Sequence, residues 1–343
     1  MGAKPTAMTT KQITNENAPE SLLDQKAVKA WRTLGGSRGE PSKIEILNDG
    51  RKKRGICRLA GVGLRGAAVI AKRCPKATGF IERTIYQEIL PHLPVTAPHY
   101  YGFVEEDDTF CWLFLEDVGS QRFSPLIEEH RVLAARWLGL MHTAAARVAA
   151  TARLPDRGPD YYLEHLRSAR RAILQGLTNP ALNTDDPVVL KTVLSQCDTL
   201  ESGWKQLEKC CEGIPVTLVH GDFRRKNLYI QTTDQAGIGL FPIDWETAGC
   251  GVPAADLAPS RRRYAGHHVD LTAYLSIVRE CWPSLDMSAL LELVRAGSIF
   301  RRLAAMDWAS KSLSSEWTEG PVGLLRGYQC ELADMMQAIS WTR

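Results

Sequence analysis

The chain has 343 residues, enough for one large domain or for two lobes sharing a substantial core. Its 44% hydrophobic and 24% charged content is ordinary for a globular protein, and a formal charge of only +3 makes no case for a nucleic-acid or membrane-surface partner. No apolar run approaches the roughly 18 residues of a membrane span, and a start without a basic-then-apolar leader points to a cytoplasmic protein.

Nine scattered cysteines, with no Cys-x-x-Cys pair, read as reduced thiols and not as a disulfide framework or zinc site. Met1-Gly2-Ala3-Lys4-Pro5-Thr6 fits a loose myristoylation pattern, but residues 1–18 read more simply as a polar, patternless start. From Ser21 the apolar residues Leu22, Leu23, Ala27, Val28, Ala30 and Trp31 have helical spacing, with Ser21 and Asp24 as a capping pair and Gly35-Gly36 as the stop.

Three strand-like stretches follow, over residues 43–47, 56–62 and 67–72, and suggest an antiparallel meander. A helix is expected over 81–93, ended by Pro94 and Pro98, and then a hairpin from 100–104 and 110–115 around the acidic turn 105–108. Beyond Gly119 the character changes: 130–150, 161–175 and 188–211 read as long helices, 216–244 as a strand-loop-strand unit, and the remainder as helical. A strand-rich first part and a helix-rich second part predict an α+β chain of two lobes with a cleft between them.

The densest chemistry lies in Val219-His220-Gly221-Asp222-Phe223-Arg224-Arg225-Lys226-Asn227 and in Phe241-Pro242-Ile243-Asp244-Trp245-Glu246. Transfer of a phosphoryl group to a hydroxyl needs a carboxylate to orient that hydroxyl and receive its proton. Magnesium on the phosphates needs hard oxygen ligands. An Asp, an Asn five positions later and a second Asp after the next apolar run supply such groups from two neighbouring turns.

His-Gly-Asp-x-x-x-x-Asn, followed by Ile-Asp-Trp-Glu-x-x-Gly-x-Gly-x-Pro-x-x-Asp-Leu-Ala, resembles the aminoglycoside phosphotransferase family, which is similar to choline kinases and, more distantly, to protein kinases. The resemblance spans roughly residues 43–257. It implies a two-lobed protein-kinase-like fold, with an antiparallel sheet lobe over 43–119 and a larger helical lobe over 120–343 carrying the acceptor site. Residues 1–42 form an extension with one helix. It further implies ATP and Mg2+ as cofactors, a small-molecule hydroxyl acceptor as partner, Asp222 as catalytic base, and Asn227 and Asp244 as magnesium ligands. Asp256 matches a recurring family position with a structural role.

Val69-Ile70-Ala71-Lys72 resembles the kinase strand whose lysine contacts the α- and β-phosphates, and the resemblance calls for a helix glutamate to hold Lys72. Glu82 fits best, with Glu88 as its rival. Backbone around Glu116 to Val118 would meet adenine at the lobe connection. Arg224, two residues after the base, departs from the histidine common in that area and would face the transferring phosphate or the surface.

Gly61-Val62-Gly63-Leu64-Arg65-Gly66 is formally a Gly-x-Gly-x-x-Gly match, but the following stretch reads as a strand, where a dinucleotide loop needs a helix. Only five residues separate Gly66 from Lys72, too few for a kinase phosphate loop, so these glycines read as a turn. The nucleotide-covering loop is instead expected at 48–55, with Gly50, Gly55 and the cations Arg51, Lys52, Lys53 and Arg54. His142 reads as a core histidine, His267-His268 carry no zinc pattern, and Met306, Trp308, Met335, Met336 and Trp341 read as core.

The acceptor stays open. A polycationic antibiotic wants an acidic pocket, and Arg261-Arg262-Arg263 just past the second motif weakens that reading. A choline-like or ethanolamine-like cation, a neutral or anionic metabolite, and a non-catalytic ATP-binding regulator are the alternatives. A protein kinase is disfavoured because Asp256 follows Asp244 too closely to leave a long activation segment.

Overall fold

The computed structural model describes residues 22–35, 39–49, 54–233, 237–259 and 269–338. The expectations placed on Met1–Thr6, Ser21, Gly50, Arg51–Lys53, Arg261–Arg263, His267-His268 and Trp341 lie outside these.

Helix α1 (Leu22–Thr33) precedes the strands β1 (Lys43–Asn48), β2 (Gly55–Ala60) and β3 (Val69–Pro75). Helix α2 (Lys76–Thr84) follows, and then the hairpin of β4 (Tyr100–Glu105) and β5 (Phe110–Glu116). All pairings are antiparallel, in the order β1-β2-β3-β5-β4, so the hairpin inserts β5 beside β3. The meander is therefore present, with β4 as the far edge.

Side chains alternate across a strand, and here the alternation sorts structure from chemistry. Val69 and Ala71 of β3, with Trp112 and Phe114 of β5, pack with Ala27, Ala30 and Trp31 of α1 on one face. Cys74, Cys111, Leu113 and Leu115 face the other way, into the main core. Lys72 shares that second face by period. The N-terminal helix is thus one side of the sheet lobe's own core.

Polar contacts hold α1 there as well. The Glu106 carboxylate accepts from Lys26 Nζ at 2.7 Å, Arg73 Nη2 at 3.0 Å and Trp112 Nε1 at 2.9 Å. Burial opposes its charge, but the Arg73 and Lys26 bonds win and hold its pKa down at about 2. A carboxyl with a depressed folded-state pKa gives stability that is complete above its unfolded value and lost as pH falls through the folded one. Glu106→Gln is therefore expected to cost about 2 kcal/mol at neutral pH. The gap from wild type should close between pH about 4.5 and about 2, the window between its unfolded and folded values. Paired urea melts across that range check it; a pH-independent gap would refute the charge assignment.

The second part holds α3 (Glu128–Ala145), α4 (Pro159–Gly176), α5 (Asp186–Ser202), α6 (Trp204–Cys211), α7 (Ala254–Leu257), α8 (Leu271–Val278), α9 (Met287–Ser310) and α10 (Glu319–Ala338). Between α6 and α7 lie four short strands: β6 (Thr217–Val219), β7 (Leu228–Thr233), β8 (Gly237–Pro242) and β9 (Gly249–Gly251). β6 pairs with β9, and β7 pairs with β8.

Several sequence expectations need correction. The helix expected at 81–93 starts earlier, at Lys76, and passes at Ile85–Ile89 into a π-helical turn that buries Ile85, Tyr86 and Ile89. The helix expected over 188–211 is broken at Gly203, and the single strand-loop-strand unit is two strand pairs. Trp308 is exposed on α9, whereas Met306 is buried, because the two positions lie on opposite sides of the helix. Among the described residues no helix is long and apolar enough to cross a membrane.

Candidate active site

The site assembles where the open face of β3 meets the turns around β6–β9. Gly79 of α2 sits against Cys111 and Cys74, where a Cβ would have no room, so the helix lies close on the sheet. Glu82 is three residues further along and faces the same way. It meets Lys72 at 2.6 Å from Nζ to Oε1, while Asp244 Oδ1 takes the same ammonium at 2.7 Å. Glu88 points elsewhere and pairs with Arg153. Burial disfavours the Lys72 charge, but the two carboxylates outweigh it and raise its pKa. Glu82 is fully buried, and burial raises its pKa despite the attraction of Lys72. Its second oxygen has no partner among the described residues.

The loop after β6 is shaped by one buried carboxylate. Asp256 of α7 accepts the backbone N–H of His220 at 2.7 Å and that of Gly221 at 2.8 Å. His142 Nε2 lies 3.4 Å from the same carboxylate, and its Nδ1 lies 2.9 Å from the Tyr274 hydroxyl. Burial opposes ionisation of Asp256, yet the bonds from His142 and from the His220 peptide N–H hold its pKa low. Asp256 and His142 thus have the supporting positions expected of them. Gly221 has φ +75°, and a Cβ there would stand 2.7 Å from the Thr247 carbonyl, so glycine is required twice over.

His220 itself is a strut. Its Nε2 lies 3.1 Å from the Ile243 carbonyl, which can only accept, so Nε2 carries the proton. Its Nδ1 accepts the Asp222 N–H at 3.3 Å. This is the neutral imidazole, and burial lowers its pKa accordingly. The ring lies 4.4 Å from that of buried Trp245. Apolar packing and neutral hydrogen bonds therefore join the two motif turns.

Asp222 projects from this frame with a side chain 16% exposed. Its carboxylate pairs with Arg224 and, at 2.9 Å, with Lys226, and Asn227 Nδ2 donates to its Oδ2 at 3.0 Å. Burial opposes its charge, but Arg224 and then Lys226 keep its pKa below the ordinary carboxylate range. Asn227 is buried and its carbonyl accepts the Ile243 N–H at 2.9 Å, which brings it next to the Asp244 turn. Asp244 has φ +67°, a left-handed conformation that costs a non-glycine residue roughly 1–2 kcal/mol. Strain of this kind gathers at functional sites.

Around this centre, Glu116 is fixed by His99, donating its N–H to the His99 carbonyl at 2.8 Å and accepting the His99 N–H at 3.0 Å. Val118 is buried, and none of the hydrogen bonds of the described residues engages its peptide N–H or carbonyl. Gly55 starts β2, where a Cβ would stand 2.5 Å from Leu23 of α1, so packing accounts for this glycine. Arg54 beside it reaches across to Glu246 at 2.8 Å. The rejected glycine motif is indeed a turn: Gly61 and Gly66 have φ +80° and +77° between β2 and β3.

The structure thus brings together Lys72, Glu82, Asp222, Arg224, Asn227 and Asp244. Sequence reasoning missed Lys226, although it lies four residues after Asp222 inside the motif. It also missed the linking role of Thr247, whose hydroxyl donates to the His220 carbonyl at 3.1 Å. Among the described residues no cluster of three or more His, Cys, Asp or Glu could hold a metal. One Asp and one Asn suit magnesium, which takes few protein oxygens and shares the phosphates'.

A kinase-type sheet lobe, a paired lysine and an Asp–Asn–Asp set on a helical body define the small-molecule phosphotransferases of protein-kinase-like fold. The chain belongs to the phosphotransferase enzyme family (APH), whose description matches residues 62–276. Solved structures similar to it include an aminoglycoside phosphotransferase described as putative, from Ralstonia eutropha JMP134, at 17% identity and TM-score 0.60, covering 92% of this chain and 98% of that one. A thermostable mutant of aminoglycoside phosphotransferase APH(4)-Ia, in ternary complex with AMP-PNP and hygromycin B, is similar at 17% identity and TM-score 0.59, over 92% and 99%. The choline kinase of Cryptosporidium parvum Iowa II is similar at 12% identity and TM-score 0.55, over 93% and 96%. Among curated proteins none matches the chain.

Proposed function

We propose that this phosphotransferase moves the γ-phosphoryl group of ATP, with magnesium, onto a hydroxyl of a small molecule. The observation that carries the reading is the bond from Lys72 to Asp244, which joins residues 172 apart in sequence at one cleft. The likeness to a phosphotransferase complex containing AMP-PNP and hygromycin B together supports a nucleotide and a second small ligand.

In this reading residues 43–119 form the nucleotide lobe and residues 120–343 the acceptor lobe. Lys72, held by Glu82, binds the α- and β-phosphates, and the unengaged peptide groups of Val118, beside Glu116, meet adenine. Residues 48–55, with Gly50 and Gly55, serve as the loop that covers the phosphates. Asn227 and Asp244 hold magnesium, which when bound neutralises phosphate charge. Asp222 orients the acceptor hydroxyl and takes its proton, while Arg224 turns from Asp222 towards the transferring group. Catalysis then rests on positioning and on fixed charge.

The test is ADP release with ATP across cationic, neutral and anionic hydroxyl compounds, repeated in Asp244→Ala over a magnesium titration. Acceptor-dependent release in the wild type, with a variant needing far more magnesium, is expected. ATP binding without turnover on any acceptor would favour a regulatory protein instead.

A further inference from the structure

The proposed reaction leaves one deeply placed cation of the helical lobe unused. Arg301 lies on α9, one turn after Gly297, which sits against the Ala254 backbone where no Cβ would fit. That close approach lays α9 along α7 and brings Arg301 beside the end of the segment whose Asp256 supports the Asp222 loop. On the other side, Phe300 stacks on Tyr162 of α4 with ring centroids 4.5 Å apart. Arg301 is thereby held at the end of α7, with the Tyr162 phenol of α4 and Asp222 within reach of its charge.

Its guanidinium carries five N–H donors. One bond accounts for it: Nη1 donates to the Ala258 carbonyl at 2.7 Å. Among the described residues no carboxylate pairs with it. The charges acting on it are Arg224, which repels it, and then Asp222 and Asp256. Both carboxylates are already engaged, Asp222 by Arg224, Lys226 and Asn227, and Asp256 by two peptide N–H groups and His142. Burial and the nearby Arg224 lower the Arg301 pKa to about 10, well below an ordinary guanidinium, yet it stays charged at neutral pH. Part of its surface remains accessible.

Arg157 adds a second such cation. Its backbone lies against Gly251 of β9 and its side chain, with the Pro155 carbonyl, against Gly249. Its Nε donates to the Thr247 carbonyl and its Nη1 to the Asp156 carbonyl, both at 2.9 Å, and its guanidinium lies 4.2 Å over the Tyr161 ring. It too pairs with no carboxylate among the described residues; the nearby Asp156 side chain accepts the Gly158 N–H at 3.0 Å. The charges of Arg157 and Arg301 both act on the Tyr162 phenol. Near Asp222 and Tyr162 there are thus two guanidinium groups that no carboxylate among the described residues pairs with.

We propose that Arg301, with Arg157 close by, forms an anion subsite next to Asp222 that receives the carboxylate or phosphate group of an acidic hydroxylated acceptor. An oxyanion there would use guanidinium donors that no described residue pairs with, in a site shielded enough to make them strong. A polycationic acceptor would meet repulsion at the same place. The inference deepens the phosphotransfer reading and rests on it for the word acceptor; the subsite itself can be tested separately.

The experiment compares melting midpoints of wild type, Arg301→Gln and Arg301→Lys at matched ionic strength, with glycerate, glycerol phosphate, glycerol, ethanolamine or hygromycin B. MgATP is measured in parallel. Stabilisation by glycerate or glycerol phosphate, kept in Arg301→Lys and lost in Arg301→Gln, is the expected result, and whichever anion acts tells a carboxylate from a phosphate. For an anionic acceptor that turns over, Arg301→Gln should raise KM roughly tenfold or more with a smaller change in kcat. A merely structural Arg301 would lower the midpoint of the unliganded Arg301→Gln protein and leave the anion increment intact, which overturns the subsite. Stabilisation by ethanolamine or hygromycin B and by neither anion overturns it too. Failure of MgATP to stabilise the wild type would instead count against the phosphotransfer reading.

Discussion

Asp222→Asn is expected to lower turnover by roughly 10²–10⁴-fold, the range that a positioned general base contributes. Asparagine keeps the shape of the side chain and an oxygen for the Asn227 amide, which donates to Asp222 Oδ2 at 3.0 Å. It cannot take a proton from the acceptor, and it releases Arg224 and Lys226 from their counter-ion. The loop itself should persist, because Asp256 and His220 hold it through backbone groups and not through the Asp222 carboxylate. ADP release and near-ultraviolet circular dichroism together read the two effects. Turnover close to wild type would remove Asp222 from the role of base; a lost dichroism spectrum would show that its charge also holds the fold.

Lys72→Met should damage both activity and stability, for different reasons. The activity loss, about 10²–10³-fold, follows from removing a fixed cation from phosphates whose charge shifts in the transition state. The stability loss follows from Glu82, which has no exposed surface and is left as a buried charge without its counter-ion. Removing one member of a buried pair costs about 3–5 kcal/mol, while replacing both members with neutral groups is often nearly neutral. Lys72→Met with Glu82→Gln should therefore recover most of the stability in a urea melt and none of the activity. A double variant as unstable as the single one would show that something other than the stranded carboxylate is at fault. Retained activity in Lys72→Met would take Lys72 off the phosphates.

The most legible parts of the site were those lying close together in the chain. His220 to Asn227 and Ile243 to Glu246 are short turns anchored by apolar runs, so residue type and spacing nearly define their geometry. The choice between Glu82 and Glu88 was different. Six residues apart on an expected helix, both could have met Lys72; the earlier helix start, the close approach at Gly79 and the π-helical turn direct Glu82 inward and leave Glu88 with Arg153. The break at Gly203 and the outward side of Trp308 were also invisible, since periodicity shows that a helix has faces but not which neighbour will cover them.

By itself, the sequence determined the two-part order of strands and helices, the two motif turns around Asp222 and Asp244, the lysine strand and the family, because each rests on local spacing. Only the tertiary structure decided that α1 completes the sheet lobe's core, that Asp256 holds the Asp222 loop through its peptide groups, and that Lys72 joins Glu82 to Asp244. It also decided that Arg301, on a helix with no motif, lies within electrostatic reach of Asp222. Contacts between distant segments depend on how whole elements pack, and no single segment carries that information.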